Sequence, residues 1–171
     1  MMAMQKFINR LRRDEKGSAL IETAFVAPFL VFMSLGGVEV SNMVKRQSEL
    51  QNAASKAAEI IMAAAPEDDT ATSAMLTGVA AKLEADTGLT THVLGFDQDP
   101  DETKKNVAYV MRRYRCGNSK TFKKADTGCT DSTNAREFIV FLMRDDYTPV
   151  WKDFGIGETL QYRVEKSIQI A

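Results

Sequence analysis

Histidine is almost absent from this sequence: His92 is the one imidazole in 171 residues. That removes the Ser–His–Asp and Cys–His arrangements on which nucleophilic hydrolysis rests. Cysteine is nearly as scarce. Cys116 and Cys129 stand alone, and no neighbouring histidine completes a four-ligand zinc site around them. Glycine-rich phosphate loops are missing. Asp97, Asp99 and Asp101 open like a calcium loop, but Glu102 stands where the glycine is required and Ala108 where the bidentate glutamate belongs. They read as a solvated acidic turn. A net charge of −1 supplies no global basic field of the kind nucleic-acid binders use. No enzyme chemistry, cofactor, metal site or nucleic-acid partner follows from such a composition.

What the sequence does have is one long hydrophobic run. From Ser18 to Val38 the single charge is Glu22. A stretch of roughly 20 apolar residues spans a bilayer as a helix, and a helix is the one single segment that satisfies its own backbone there. Residues 1–17 carry Lys6, Arg10, Arg12, Arg13 and Lys16 against Asp14 and Glu15, a net +3, which leaves −4 for the remainder. Basic residues flanking the N-terminal end predict a cytoplasmic N-terminus and a translocated body. The expected organisation is a basic cytoplasmic leader at 1–17, a transmembrane helix at 18–38 and an extracytoplasmic α+β domain at 39–171. Two rivals are weaker. A cleaved secretory signal needs a shorter apolar core and an Ala-x-Ala-like site, which Ser34-Leu35-Gly36 approximates badly. A buried core helix does not account for the lopsided charge of the flank.

Glu22 is the residue that does not belong. On insertion scales a carboxylate at mid-helix costs about 2.5–3.5 kcal/mol, and less near the membrane edge, where the plain reading is a side chain that snorkels to the interface from the helix start. Its context is Lys16-Gly17-Ser18-Ala19-Leu20-Ile21-Glu22. A basic flank, a glycine, four small or apolar residues, a glutamate and then a long apolar run resemble the type IV prepilin signal. The wider sequence adds Ala27-Pro28-Phe29-Leu30, Gly36-Gly37-Val38-Glu39 and Gln51-Asn52-Ala53-Ala54-Ser55-Lys56-Ala57-Ala58. Over about residues 10–65 this resembles the TadE-like family of the bacterial tight-adherence (Tad) pilus system. Family members often carry an aromatic residue or glycine at the membrane exit, where this chain has Val40-Ser41-Asn42.

The resemblance implies a minor pilin or pseudopilin. A membrane prepilin peptidase would cut between Gly17 and Ser18, making Glu22 the fifth residue of the mature chain. An α-amine with a pKa of about 7.7–8.0 is largely protonated at neutral pH. In lipid it and a carboxylate relieve each other's desolvation. In pilins that pairing joins neighbouring subunits, which gives Glu22 a subunit-pairing role. Pro28 would kink the membrane helix, and Gly36 and Gly37 would let another helix approach closely. The implied partners are the peptidase, other pilin-like subunits, the inner-membrane assembly platform and membrane lipid. The implied place is the bacterial inner membrane, with the outer domain periplasmic or extracellular.

The helix is expected to continue past the membrane. Met43, Leu50, Ala54, Ala57, Ile61 and Ala64 form one stripe at helical spacing, and Pro66 stops it, so a helix from about Ser18 to Ala65 is predicted. A second helix over Ala71–Asp86 buries Met75, Leu76, Val79, Ala80 and Leu83 and ends at Gly88. Period-two patterns then predict strands at His92–Phe96, Asn106–Arg115, Phe138–Met143 and Leu160–Ile170. Phe138–Met143 is apolar on both faces, as a central strand is. The fold class is α+β: a long N-terminal helix packed on three or four antiparallel strands, pilin-like in outline.

Cys116 and Cys129 close a loop between two strands, beside the turn sequences Gly117-Asn118-Ser119 and Asp126-Thr127-Gly128. In an oxidising compartment they are a disulfide; in the cytosol they would be two buried thiols. Lys120, Lys123 and Lys124 read as a solvated loop that can meet an acidic neighbour. His92 is a surface or packing residue, and Trp151 a core or partner contact. The rival readings of the whole chain are an uncleaved single-pass scaffold or sensor and a membrane-tethered enzyme. The missing catalytic constellation disfavours the enzyme.

Overall fold

The computed structural model describes residues 15–64, 66, 68–124, 129, 135–155 and 157–170. Of the features read from the sequence, Lys6, Arg10, Arg12 and Arg13 of the leader, Ala65, and the turn at Asp126-Thr127-Gly128 lie outside them. The fold class is α+β, with one long N-terminal helix and a small sheet. Helix α1 runs Glu15–Ala64 and α2 runs Asp69–Thr87. The strands are β1 (Thr90–Leu94), β2 (Val107–Cys116), β3 (Ala135–Tyr147) and β4 (Leu160–Gln169), with a 3₁₀ turn at Val150–Phe154 before β4. The chain divides into two units between Asn42 and Met43.

In the second unit, residues 43–64 of α1 lie on one face of the sheet. The buried seam is made of Leu50, Ala53, Ala54, Ala57, Ala58 and Ile61. Four alanines in six residues keep this surface thin and allow helix and sheet to pack closely. Ala64, expected on the stripe, is exposed; Ala53 and Ala58 widen the seam instead, because a helix resting on a broad sheet buries more than one row of side chains. α2 adds Leu76, Val79, Ala80 and Leu83, and the sheet adds Val110, Ile139, Phe141 and Met143. Burial of each large apolar side chain contributes about 1.5–3 kcal/mol.

α2 is bounded as its sequence requires. Asp68 is its N-cap and accepts from the Ala71 N–H at 2.6 Å. Gly88 follows its last turn in the left-handed region, φ +71°, and returns its N–H to the Glu84 carbonyl.

The sheet order is β1-β2-β3-β4. The β2–β3 and β3–β4 pairs are antiparallel, as expected, but β1 pairs parallel to β2. The expectation of a purely antiparallel sheet is corrected here, and chain length supplies the reason. Between Leu94 and Val107 lie 12 residues, enough for a crossover back to the starting end, whereas an antiparallel hairpin needs only two.

Both faces of β2 and β3 are covered. On the face away from the helices, Val107, Tyr109, Met111, Phe138, Val140 and Leu142 form a second buried cluster with Leu94 and Phe122 packed on it. The crossover covers it, and Arg113 holds the crossover in place. Its buried guanidinium donates to the carbonyls of Gln98 at 2.5 Å, Phe96 at 3.4 Å and Arg112 at 2.8 Å. Burial pushes its pKa below the usual arginine value, opposed by Asp99 nearby. Arg115 lies over the rings of Phe122 and Phe138, at 4.3 and 4.9 Å.

Cys116 and Cys129 form a disulfide across a sequence separation of 13. The chain turns at Gly117, φ +51°, where a side chain would be strained. It then pairs back on β2 through two backbone bonds between Tyr114 and Lys123. Lys124 reaches Asp99 of the crossover at 2.6 Å, so the cysteine loop and the crossover brace each other over the second cluster.

Two outcomes follow. Replacing Cys116 and Cys129 together with serine lowers the stability of the detergent-solubilised chain by about 3 kcal/mol in thermal or denaturant unfolding, the chain-entropy value for a loop of this size. Separately, the Asp101 carboxylate accepts from the Thr103 hydroxyl and N–H, and Lys82 bonds the Asp86 carboxylate; each is held below the ordinary value of 3.8. A depressed carboxylate stabilises the fold above its unfolded pKa, and that share is lost as pH falls through the folded one. Asp101→Asn keeps both acceptor contacts yet flattens the loss of stability below pH 3.8, measured by denaturant unfolding against pH.

Candidate functional site in the apolar helix

Residues 15–42 of α1 form an uninterrupted helix through Pro28. Proline has no N–H for the carbonyl of Ala24 and strains the preceding turn, yet a membrane helix tolerates it. The hydroxyls in the run are satisfied locally: Thr23 donates to the Ala19 carbonyl and Ser34 to the Leu30 carbonyl, each at 2.8 Å. The large apolar side chains from Leu20 to Val38 are uncovered; Phe25 is 78% exposed, Phe32 71% and Leu35 62%. A soluble protein does not leave such a surface in water. The helix is long and apolar enough to cross a membrane.

Gly17 and Ser18 lie in the first turns of this helix, and Glu22 sits one turn beyond Ser18. The carboxylate is exposed. Following steps of four and three, Glu22, Val26, Phe29, Met33 and the Gly36–Gly37 pair fall on one face, and Pro28 falls off it. The charge and the small residues therefore share the surface that a neighbouring helix would meet. A Cβ built on Gly37 touches nothing within 4 Å.

Among the described residues no three or more His, Cys, Asp or Glu side chains are grouped so as to hold a metal ion. His92 stacks on Tyr109 with centroids 5.8 Å apart. Trp151 is half-buried, and a Cβ on Gly157 would meet its ring at 3.7 Å. Asp99 meets Lys124, and Asp101 caps Thr103. The polar features that sequence reading missed are long-range. Arg46 of α1 donates to the buried Asp145 of β3 at 2.5 Å, and that hydrogen bond, opposed by partial burial, raises the arginine pKa. Arg112 bonds Glu137 across the sheet and reaches Asp69 of α2 at 2.8 Å. Burial works against its charge, but these two carboxylates outweigh it and its pKa is raised. No local signal distinguishes Arg46 from the solvated Lys45 beside it.

The fold defines an α+β protein with a single long helix whose first part has the length and apolarity of a membrane anchor. Residues 17–59 of that helix match the family model described as TadE-like protein. The matched segment lies wholly within α1 and covers none of the sheet. Comparison with curated proteins and with solved structures finds no match.

Because space around Gly37 is open, Gly37→Leu leaves the unfolding midpoint of the isolated chain in detergent within about 0.5 kcal/mol. If another helix packs on the Gly36–Gly37 face, the same change lowers recovery of that helix's protein with the chain from membranes. A lowered midpoint instead would place the effect inside the chain.

Proposed function

We propose that the chain is a TadE-like minor pilin or pseudopilin that acts in assembling a Tad-type pilus and in the adhesion it serves. One observation carries the reading. Gly17-Ser18, followed one helical turn later by Glu22, opens an otherwise uncharged and uncovered apolar helix, in the segment that matches the TadE-like model. The leader 1–17 stays in the cytoplasm, residues 18–38 cross the inner membrane, and residues 39–171 lie in the periplasm or outside the cell. The disulfide fits an oxidising compartment.

In this reading the protein is a substrate and then a structural part. A prepilin peptidase removes residues 1–17 on the cytoplasmic side. The new Ser18 amine, protonated at neutral pH, then meets Glu22 of a neighbouring subunit. Two charges that each cost several kcal/mol in lipid alone become tolerable as a pair. Gly36 and Gly37 on the same face allow close approach of other pilin-like helices, and the inner-membrane assembly platform receives the anchored chain. Helical backbone at the cleavage bond favours a second reading, an uncleaved envelope scaffold whose outer domain binds another protein. The first turn of a helix frays readily, however, and so admits the peptidase.

The test is the mature N-terminus, by intact mass of membrane-extracted protein from cells with and without the prepilin peptidase. A chain starting at Ser18 only when the peptidase is present is expected. A chain still starting at Met1 or Met2 in peptidase-positive cells overturns the pilin reading in favour of the uncleaved scaffold.

A further inference from the structure

Two contacts show which end of the second unit receives the chain. Lys166 of β4 bonds Ser55 at 3.0 Å, and the Tyr162 hydroxyl donates to the Met43 carbonyl at 3.1 Å. Going back along β4 therefore leads toward Met43, where the chain enters the unit. Leu160 lies about 7 Å further in that direction. The connection from Tyr147 of β3 to Leu160 leaves the sheet at this same end. Met43 stands five residues beyond Val38, about 8 Å of helix. Once residues 18–38 cross a membrane, chain length alone holds this end close to its surface.

The same end collects side chains that suit such a surface. Of the four tyrosines and one tryptophan of the chain, Tyr147, Tyr162 and Trp151 belong to it. The two tyrosine rings have centroids 6.3 Å apart, and all three side chains are half-buried. Each has an apolar body and one polar atom, the combination that concentrates tyrosine and tryptophan at headgroup level. Three large apolar side chains at this end are exposed: Val44 by 58%, Val150 by 63% and Leu160 by 41%. Val150 opens the 3₁₀ turn Val150–Phe154, whose N-cap Pro149 is fully buried. Lys152 of that turn bonds the Thr159 hydroxyl across the connection at 2.8 Å. The turn is thus presented from a fixed base.

We propose that this turn, with the tyrosines beside it, is a lipid-contact site: it rests in the headgroup layer of the bilayer that holds the anchor, and Val150 reaches the top of the acyl chains. The proposal rests on the reading of residues 18–38 as the anchor. Chain reach selects the occupant, since that bilayer is the one surface the connection from Val38 to Met43 must keep within about 8 Å. Interfacial aromatic side chains set how a membrane helix tilts and rotates. A second point of contact would hold the outer domain in one attitude above the membrane.

Trp151 is the one tryptophan, so its fluorescence reports this site alone. The test places the full chain in phosphatidylcholine–phosphatidylglycerol vesicles containing lipid with a nitroxide on the acyl chain. Strong quenching is expected with the nitroxide near the headgroup and weaker quenching with it at the bilayer centre. Val150→Asp shifts the contact equilibrium about tenfold toward release and so lowers the quenching. Val150→Leu keeps it. Because Val150 is exposed, neither variant changes the unfolding midpoint in detergent. Alkaline carbonate extraction of the same vesicles reads the anchor separately. A chain that resists extraction while Trp151 stays as bright as in unlabelled lipid overturns the lipid contact and leaves the anchor reading standing. Quenching that Val150→Asp leaves undiminished overturns it too. A chain that washes out overturns both readings.

Discussion

An α-helix closes its own backbone hydrogen bonds, and α1 depends on that over its whole 50-residue length. Because almost no backbone group inside the helix needs a neighbour, side chains decide what surrounds each part. Over residues 19–38 the large ones other than Glu22 are apolar and uncovered, which suits hydrocarbon. Over residues 50–61 the buried ones are mostly alanine, framed by Leu50 and Ile61, which suits close packing on a sheet. In the first part, polar groups that lipid would penalise are answered within one turn, as Thr23 and Ser34 are. Glu22 is the one charged side chain in this first part, and it is exposed.

In the second unit the polar contacts fall between elements instead of within a turn. Arg46 meets Asp145, the Tyr162 hydroxyl donates to the Met43 carbonyl at 3.1 Å, and Lys166 meets Ser55. Each joins residues 43–55 of α1 to β3 or β4. The apolar seam sets how closely helix and sheet approach, and these contacts set the position of one along the other. Arg113 does the corresponding work for the crossover by binding the backbone carbonyls of Phe96 and Gln98. A charge inside the fold is tolerable where its donors are used in this way.

The elements were legible where they are local. The period of the α1 stripe, Gly88 at the end of α2, the alternation of β4 and the two-sided burial of Phe138–Met143 are properties of neighbouring residues, and the structure agrees on each. The apolar helix and its TadE-like pattern were legible for the same reason: a glycine, a glutamate and an apolar run within one segment need no fold to be recognised. The parallel β1–β2 pair was not legible, because direction depends on where a 12-residue connection leads. Nor was the burial of Arg46, Arg112 and Arg113, whose partners lie 15 to 99 residues away.

By itself, then, the sequence determined the long apolar helix, the helix-then-strand order and the TadE-like pattern of the helix. Each depends on hydrophobicity, charge or propensity over a short window, which folding does not alter. The tertiary structure alone decided the mixed sheet, the crossover that covers its second face and the arginine contacts. Those depend on which distant residues the closed sheet brings together, and pairing between distant segments is written in no local pattern.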